Sequence, residues 1–264
     1  MTKDIKKYLP WIILAVIVIA LSVLFVLSKR ITQEQLSTSE SKITDAQTHL
    51  EAKQFSSAMQ KYYEAADVIP NKLEAYEGIL DILILKNRIE DITDVIEKSA
   101  KALSSYDKSV LYKKLGDVYL NTGEYSKAFE VYDNGLVLGV KNMPLELSFG
   151  KSMLKLGDIE GSKRQFEKQG YEDEESWEAD LLLCYIYSLE DTSEARKVIE
   201  NAKPSGKMEV YYEEMNKVLD SLNDDTKYNA TKLARVYINN GYQYLAISIL
   251  EPMKDDISEY LEGM

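Results

Sequence analysis

One cysteine, one histidine and five prolines in 264 residues set the first limits on this chain. Cys184 alone cannot close an internal disulfide, and Cys184 with His49 makes no cluster for zinc. Cys184 lies in the apolar run Leu181-Leu182-Leu183-Cys184-Tyr185-Ile186, which predicts a small core residue rather than a reactive thiol. Proline and the twelve glycines are too sparse to break the chain often, and long Ala/Leu/Glu/Lys-rich stretches between them point to helices. Positive charge is in the minority, with 32 basic against 44 acidic residues and a net charge of −12. An acidic surface of this kind repels a phosphate backbone, so nucleic acid is excluded as a partner. Solubility and solvated helix faces account for most of that charge. The 45% hydrophobic content excludes a disordered chain.

The longest run without charge is at the start. After a short basic segment, 1–8, residues 9–28 (LPWIILAVIVIALSVLFVLS) carry none. Twenty helical residues span about 30 Å, the hydrocarbon thickness of a bilayer. A cleaved signal peptide is the competing reading, but cutting after Ala20-Leu21-Ser22 would leave Val23–Leu27 exposed. The expectation is an uncleaved single-pass anchor. Lys3, Lys6 and Lys7 precede it and Lys29 and Arg30 follow, a balance that favours a cytoplasmic N-terminus and an extracytoplasmic C-terminal domain. Residues 29–42 are polar and read as a tether between anchor and domain.

Beyond the tether the chain repeats itself. The clearest unit begins at Ser109: Tyr112, Leu115, Gly116 and Tyr119 share one helix face, Asn121-Thr122-Gly123 supplies a turn, and Ala128 and Tyr132 follow. Gly116 and Ala128 are small where two antiparallel helices would cross closely. The small second-helix position recurs as Ala58, Ile92, Ala128, Ser162, Ala195 and Ala246, at steps of 34, 36, 34, 33 and 51. The last step is one and a half periods, which requires an extra helix between the fifth and sixth units. Met208, Tyr211, Tyr212, Met215, Val218, Leu219 and Leu222 give its apolar stripe.

This pattern resembles the tetratricopeptide repeat, whose signature pairs an aromatic, Leu-Gly and Tyr on one helix with Ala and an aromatic on the next. The resemblance implies an all-α solenoid over residues 43–264. Its units lie near 39–72, 73–108, 109–142, 143–175, 176–206 and 227–264, with the extra helix at 207–224 and a single transmembrane helix in front. The second unit departs from the pattern, with Leu80 and Ile92 at the small positions. Gly116, Gly123, Gly150 and Gly157 all fall at repeat positions, so no phosphate-cradling loop remains. One His and one Cys on different repeats assemble no nucleophile–base pair. The expectation is a protein that is not an enzyme, with no cofactor, metal or small-molecule substrate.

Family resemblance also implies a groove lined by the first helices. Its positions are Val110, Lys113, Asp117 and Leu120 in one unit and Pro144, Leu147, Lys151 and Leu154 in the next. They continue as Trp177, Asp180, Cys184 and Tyr187, and in the last unit as Tyr228, Thr231, Arg235 and Ile238. Lys113, Asp117, Leu147, Lys151, Tyr187 and Arg235 are the leading candidates for contact with a partner. Relatives that clamp acidic chaperone tails need an Asn where Asp117 stands, so a protein or peptide held through apolar pockets fits better. The implied function is a membrane-anchored scaffold for assembly or recruitment at an envelope complex. A holdase-type chaperone for exported proteins is the alternative, and an organelle import receptor would need the opposite orientation. The Lys/Ile/Glu-rich composition favours a bacterial source.

Overall fold

The computed structural model describes residues 14, 16–19, 21, 32–168, 174–202 and 204–254. Among them there are thirteen α-helices from residue 33 onward, one 3-10 turn and no strand. The described residues contain no helix long and apolar enough to cross a membrane. Most of the segment expected to do so, 9–28, lies outside them; Leu14, Val16–Ile19 and Leu21 are helical and exposed. The chain divides into two compact units, Met1–Leu85 and Lys86–Met264.

In the first unit, α1 (Gln33–Glu51), α2 (Phe55–Val68) and α3 (Leu73–Leu85) follow in order. The expected tether does not reach residue 42. Thr32 caps α1 in a reciprocal capping box with Gln35, so residues 33–42 are its opening turns. Those turns are tied down: buried Ser39 donates to the Ala65 carbonyl at 3.1 Å, and Lys42 pairs with Glu64 at 2.7 Å. Hydrogen bonds from Lys42 and Lys61 hold the Glu64 carboxyl down at about 2. Polarity hid this helix, because its buried face is made of Ser39 and Ala46 rather than large apolar residues. The α1–α2 turn passes through Lys53 at φ 57°, and His49 Nδ1 lies 2.6 Å from the Gln54 amide oxygen beside it.

Ala46 and Ala58 are fully buried where α1 and α2 cross. The ring of Tyr62, on α2, lies against α3 at Gly78, where a Cβ would come within 2.3 Å of it. The second repeat therefore has a small residue on its first helix two positions before Leu80, and it serves the helix pair before it. Leu80 is itself fully buried.

The second unit begins with α4 (Glu90–Ser99), followed by α5 (Ser105–Asn121) and α6 (Tyr125–Leu136), then α7 (Met143–Leu156) and α8 (Ile159–Glu167). α9 (Glu174–Glu190) pairs with α10 (Thr192–Asn201), α11 (Lys207–Ser221) stands alone in sequence, and α12 (Thr226–Asn239) pairs with α13 (Gln243–Leu250). Side-chain caps mark the helix starts: Ser104, Asn142, Asp158, Asp191 and Asp225 each accept a first-turn N–H. α7 ends on Gly157 at φ 84°, the left-handed cap that glycine adopts without a Cβ clash.

Two helix pairs close in the same way. A Cβ on Gly116 would sit 2.3 Å from the Tyr132 ring, and one on Gly150 would sit 2.4 Å from the Phe166 ring. Each aromatic is sixteen residues after its glycine, one helix and one turn further on. Phe129 stacks on Phe149 at 4.9 Å and joins α6 to α7.

The largest core lies behind them. α9 packs against α7, α8, α10, α11 and α13, and every residue from Leu181 to Ile186 is buried. A helix that is apolar all round belongs inside, and this one is. Buried Tyr237 on α12 donates to the Tyr185 carbonyl at 3.0 Å, their rings 5.5 Å apart. The last helix pair also reaches α7: Lys155 donates to the Gly241 carbonyl, with its ammonium 4.7 Å from the centre of the Tyr242 ring.

Candidate functional site

The first helices α5 and α7 leave a cleft of about 320 Å³ between them. Helical spacing places Lys113, Asp117 and Leu120 on one side of it and Pro144, Leu147 and Lys151 on the other. These are six of the eight positions that the repeat register assigns to the groove in these two units. Of the other two, Leu154 is 2% exposed and lies in the core cluster, and Val110 is half-buried outside the cleft.

Asp117 is the hub of the α5 wall. One carboxylate oxygen accepts from Lys113 at 2.7 Å; the other accepts from the Tyr132 hydroxyl at 2.8 Å and from the Ser148 hydroxyl at 3.3 Å. A rim charge is thereby fixed by groups from α5, α6 and α7. Burial, and after it the Asp117 charge, push the Tyr132 phenol upward, so it stays a donor. On the α7 wall, Lys151 reaches across to Glu178 on α9 at 2.6 Å and ends the cleft. Leu147 supplies apolar floor and is itself buried.

The lining therefore combines two anchored ion pairs with Leu120, Leu147 and the Pro144 ring. Partly exposed ion pairs of this kind contribute little to stability and exchange partners at small cost. Such a surface can accept an extended chain, with polar groups for its backbone and a shallow apolar floor for its side chains. Among the described residues no group of three or more His, Cys, Asp or Glu side chains is placed to hold a metal ion.

The structure does not bring Tyr187 or Arg235 into this cleft. The Tyr187 hydroxyl donates to Glu167 at 3.1 Å, and Lys163 stands 5.1 Å from its ring centre. Arg235 is exposed on α12. Asp180 is half-buried, and Cys184 is fully buried with its thiol pushed up to about 12 by burial. Asn121, Ser148 and Glu178 line the cleft without having been expected there. Each adjoins an expected position: Leu120, Leu147 and Trp177. A lining set is a strip of helix surface, wider than one row of register positions.

No family model matches the chain. The TPR repeat-containing protein MJ1428 of Methanocaldococcus jannaschii is 26% identical to it over 163 residues, 61% of this chain and 26% of that protein. Over this stretch the repeat pattern is similar to that of a tetratricopeptide-repeat protein. The chain spans about a quarter of the length of this curated tetratricopeptide relative. Among solved structures, YrrB, described as a TPR protein with an unusual peptide-binding site, is similar at 18% identity and a TM-score of 0.44. That match covers 65% of this chain and 90% of YrrB. The pilF protein of Pseudomonas aeruginosa is similar at 11% identity and a TM-score of 0.44, over 84% of this chain and 93% of pilF.

Proposed function

We propose that this protein is a membrane-anchored tetratricopeptide scaffold that holds an extended segment of a partner protein in the cleft between α5 and α7. The observation that carries the reading is the convergence of Lys113, Asp117, Leu120, Pro144, Leu147 and Lys151 on one open cleft. Residues 9–28 serve as the anchor, supported by twenty uncharged positions in a row and by exposed apolar side chains at the described helical residues within them. The balance of flanking lysines and arginine favours an N-terminus in the cytoplasm and a repeat domain outside it, where the partners belong to an envelope complex under assembly.

Two measurements test this. The first is selection of displayed twelve-residue peptides against the full chain in detergent. It should enrich a sequence that binds saturably and is weakened about five- to tenfold by Lys113→Ala, with Lys163→Ala as a neutral control. Enrichment of nothing, or of peptides indifferent to Lys113→Ala, sinks the cleft as the binding site. Suppressed aggregation of several unrelated clients, without saturable peptide binding, would favour the holdase reading. The second is protease treatment of a C-terminally tagged chain in intact cells, with a lysed control. Cleavage before lysis supports an exported domain, and protection until lysis puts the domain in the cytoplasm.

A further inference from the structure

A second cavity, of about 360 Å³, lies in the same unit and shares Lys151 and Glu178 with the cleft. Its volume falls within the roughly 300–1,000 Å³ of small-ligand and side-chain pockets. The register of the repeat does not foresee it, because part of its wall comes from the extra helix, outside the regular pairs. Leu181, Leu182 and Tyr185 on α9 form one side, and Met208 and Tyr211 on the extra helix α11 form another. The turn between α12 and α13 closes it with Asn240 and Tyr242.

The lining has two qualities that belong together in few ligands. Most of it is aliphatic or aromatic, with Tyr185 and Met208 buried and Tyr211 exposed at the mouth. Its charge is positive, on a chain whose net charge is −12. Lys207 makes no ion pair among the described residues. Lys151 is matched by Glu178, while Lys155 stands behind the Tyr242 ring as a further cation. Burial, and after it the charge of Lys151, push the Lys155 ammonium downward, so cationic charge is crowded at this wall. The excess charge resides on Lys207 at the rim.

We propose that this cavity is an anchor pocket for an aromatic side chain of the peptide held in the cleft, with a neighbouring carboxylate of the same peptide bound by Lys207. The proposal rests on the peptide-binding reading of the cleft. Sharing Lys151 and Glu178 makes the two cavities neighbours along one path. An aromatic group gains most from a desolvated pocket of Leu, Met and Tyr, and the unmatched ammonium selects an acidic neighbour over a basic one.

The test places three cores, Asp-Phe-Asp, Asp-Ala-Asp and Lys-Phe-Lys, in the flanks of a selected peptide. Fluorescein-labelled versions are titrated by anisotropy with the full chain in detergent. Asp-Phe-Asp should bind about tenfold more tightly than either other core. Lys207→Glu should abolish the preference for Asp over Lys, and Tyr211→Ala should reduce the preference for Phe over Ala. Lys113→Ala should weaken all three peptides equally and leave both preferences intact. If the three cores bind alike, or both preferences survive Lys207→Glu and Tyr211→Ala while Lys113→Ala still weakens binding, the anchor pocket is wrong and the cleft stands. If Lys113→Ala has no effect either, both readings fail. A peptide of residues 255–264 that displaces Asp-Phe-Asp, with binding gained when those residues are deleted, would assign the pocket to the chain's own acidic end and overturn the proposal.

Discussion

α7 and α9 are both first helices of a repeat, yet the same register position lines an open cleft in one and is buried in the other. The eighth residue after each repeat's start is Lys151 in α7, at the wall of the cleft, and Cys184 in α9, fully buried. Four residues earlier stand Leu147, which floors the cleft, and Asp180, which is half-buried and does not line it. The repeat fixes how a helix meets its own partner and the pair before it. What becomes of the remaining face depends on what the chain adds next. Behind α9 the chain adds α11 and a returning pair, and α13 packs on both α7 and α9. A groove position is therefore a property of the assembled unit and not of the repeat alone.

The sharpest way to break this comparison is to remove a side chain that closes the far side. Tyr237 is fully buried, packs on Tyr185 and donates to its carbonyl. Tyr237→Ala should cost about 3–5 kcal/mol, from the cavity and an unpaired carbonyl together, read from urea unfolding of the full chain in detergent. Half-buried Tyr119, on the open side, should lose no more than about 1–2 kcal/mol when cut to Ala. Equal losses would mean that the two sides do not differ in closure.

Much of this was legible in the sequence, and the failures have physical causes. The recurring second-helix positions, 33 to 36 apart until the last step of 51, predicted the helix crossings, and Ala58, Ile92, Ala128, Ser162, Ala195 and Ala246 are all buried. The 51-residue step demanded a helix that the chain forms at Lys207–Ser221. Where that helix goes could not be read, since an apolar stripe names no partner. Cys184 illustrates the limit. Its apolar run predicted a core residue while its register predicted a groove, and the six consecutive apolar side chains prevail because no orientation of α9 can expose them. The start of α1 was lost for the opposite reason: a helix that buries serine and alanine looks like a linker.

A smaller effect tests the open side, where the crossing itself is tight. Tyr132 cannot swing away from Gly116 freely, because its hydroxyl is held by Asp117 and its ring is fully buried. Gly116→Ala should therefore cost about 1–3 kcal/mol by overpacking, read from the same unfolding curves. At Gly123, with φ +81° and no atom within 4 Å of a new Cβ, alanine should cost about 1 kcal/mol through backbone strain alone. A harmless Gly116→Ala would remove the shared crossing from which the comparison starts.

A comparably small effect separates the two sides by pH. Asp117 and Asp180 are both carboxylates at groove positions, but Asp117 has three hydrogen-bonding partners and Asp180 has neither hydrogen bond nor ion pair among the described residues. Burial pushes the Asp180 carboxyl up to about 6, from an ordinary value near 3.8. A raised value means that the folded protein holds this proton more tightly than the unfolded chain does. The stability so gained is complete below the unfolded value and is lost as pH rises through about 6. Above that, a charge sits half-buried in α9 with no cation paired to it among the described residues. Asp180→Asn removes the penalty, so it should stabilise the protein by about 1–2 kcal/mol at pH 7.5, once solvent screening of a half-buried group is allowed for. The gain should shrink on acidification and be gone near pH 4, in urea unfolding run across that range. A gain that does not change with pH would mean that asparagine packs better there for reasons unrelated to charge. A loss at pH 7.5 would mean that the carboxylate has a favourable role in the fold, and that the far side of α9 is more open than its burial implies.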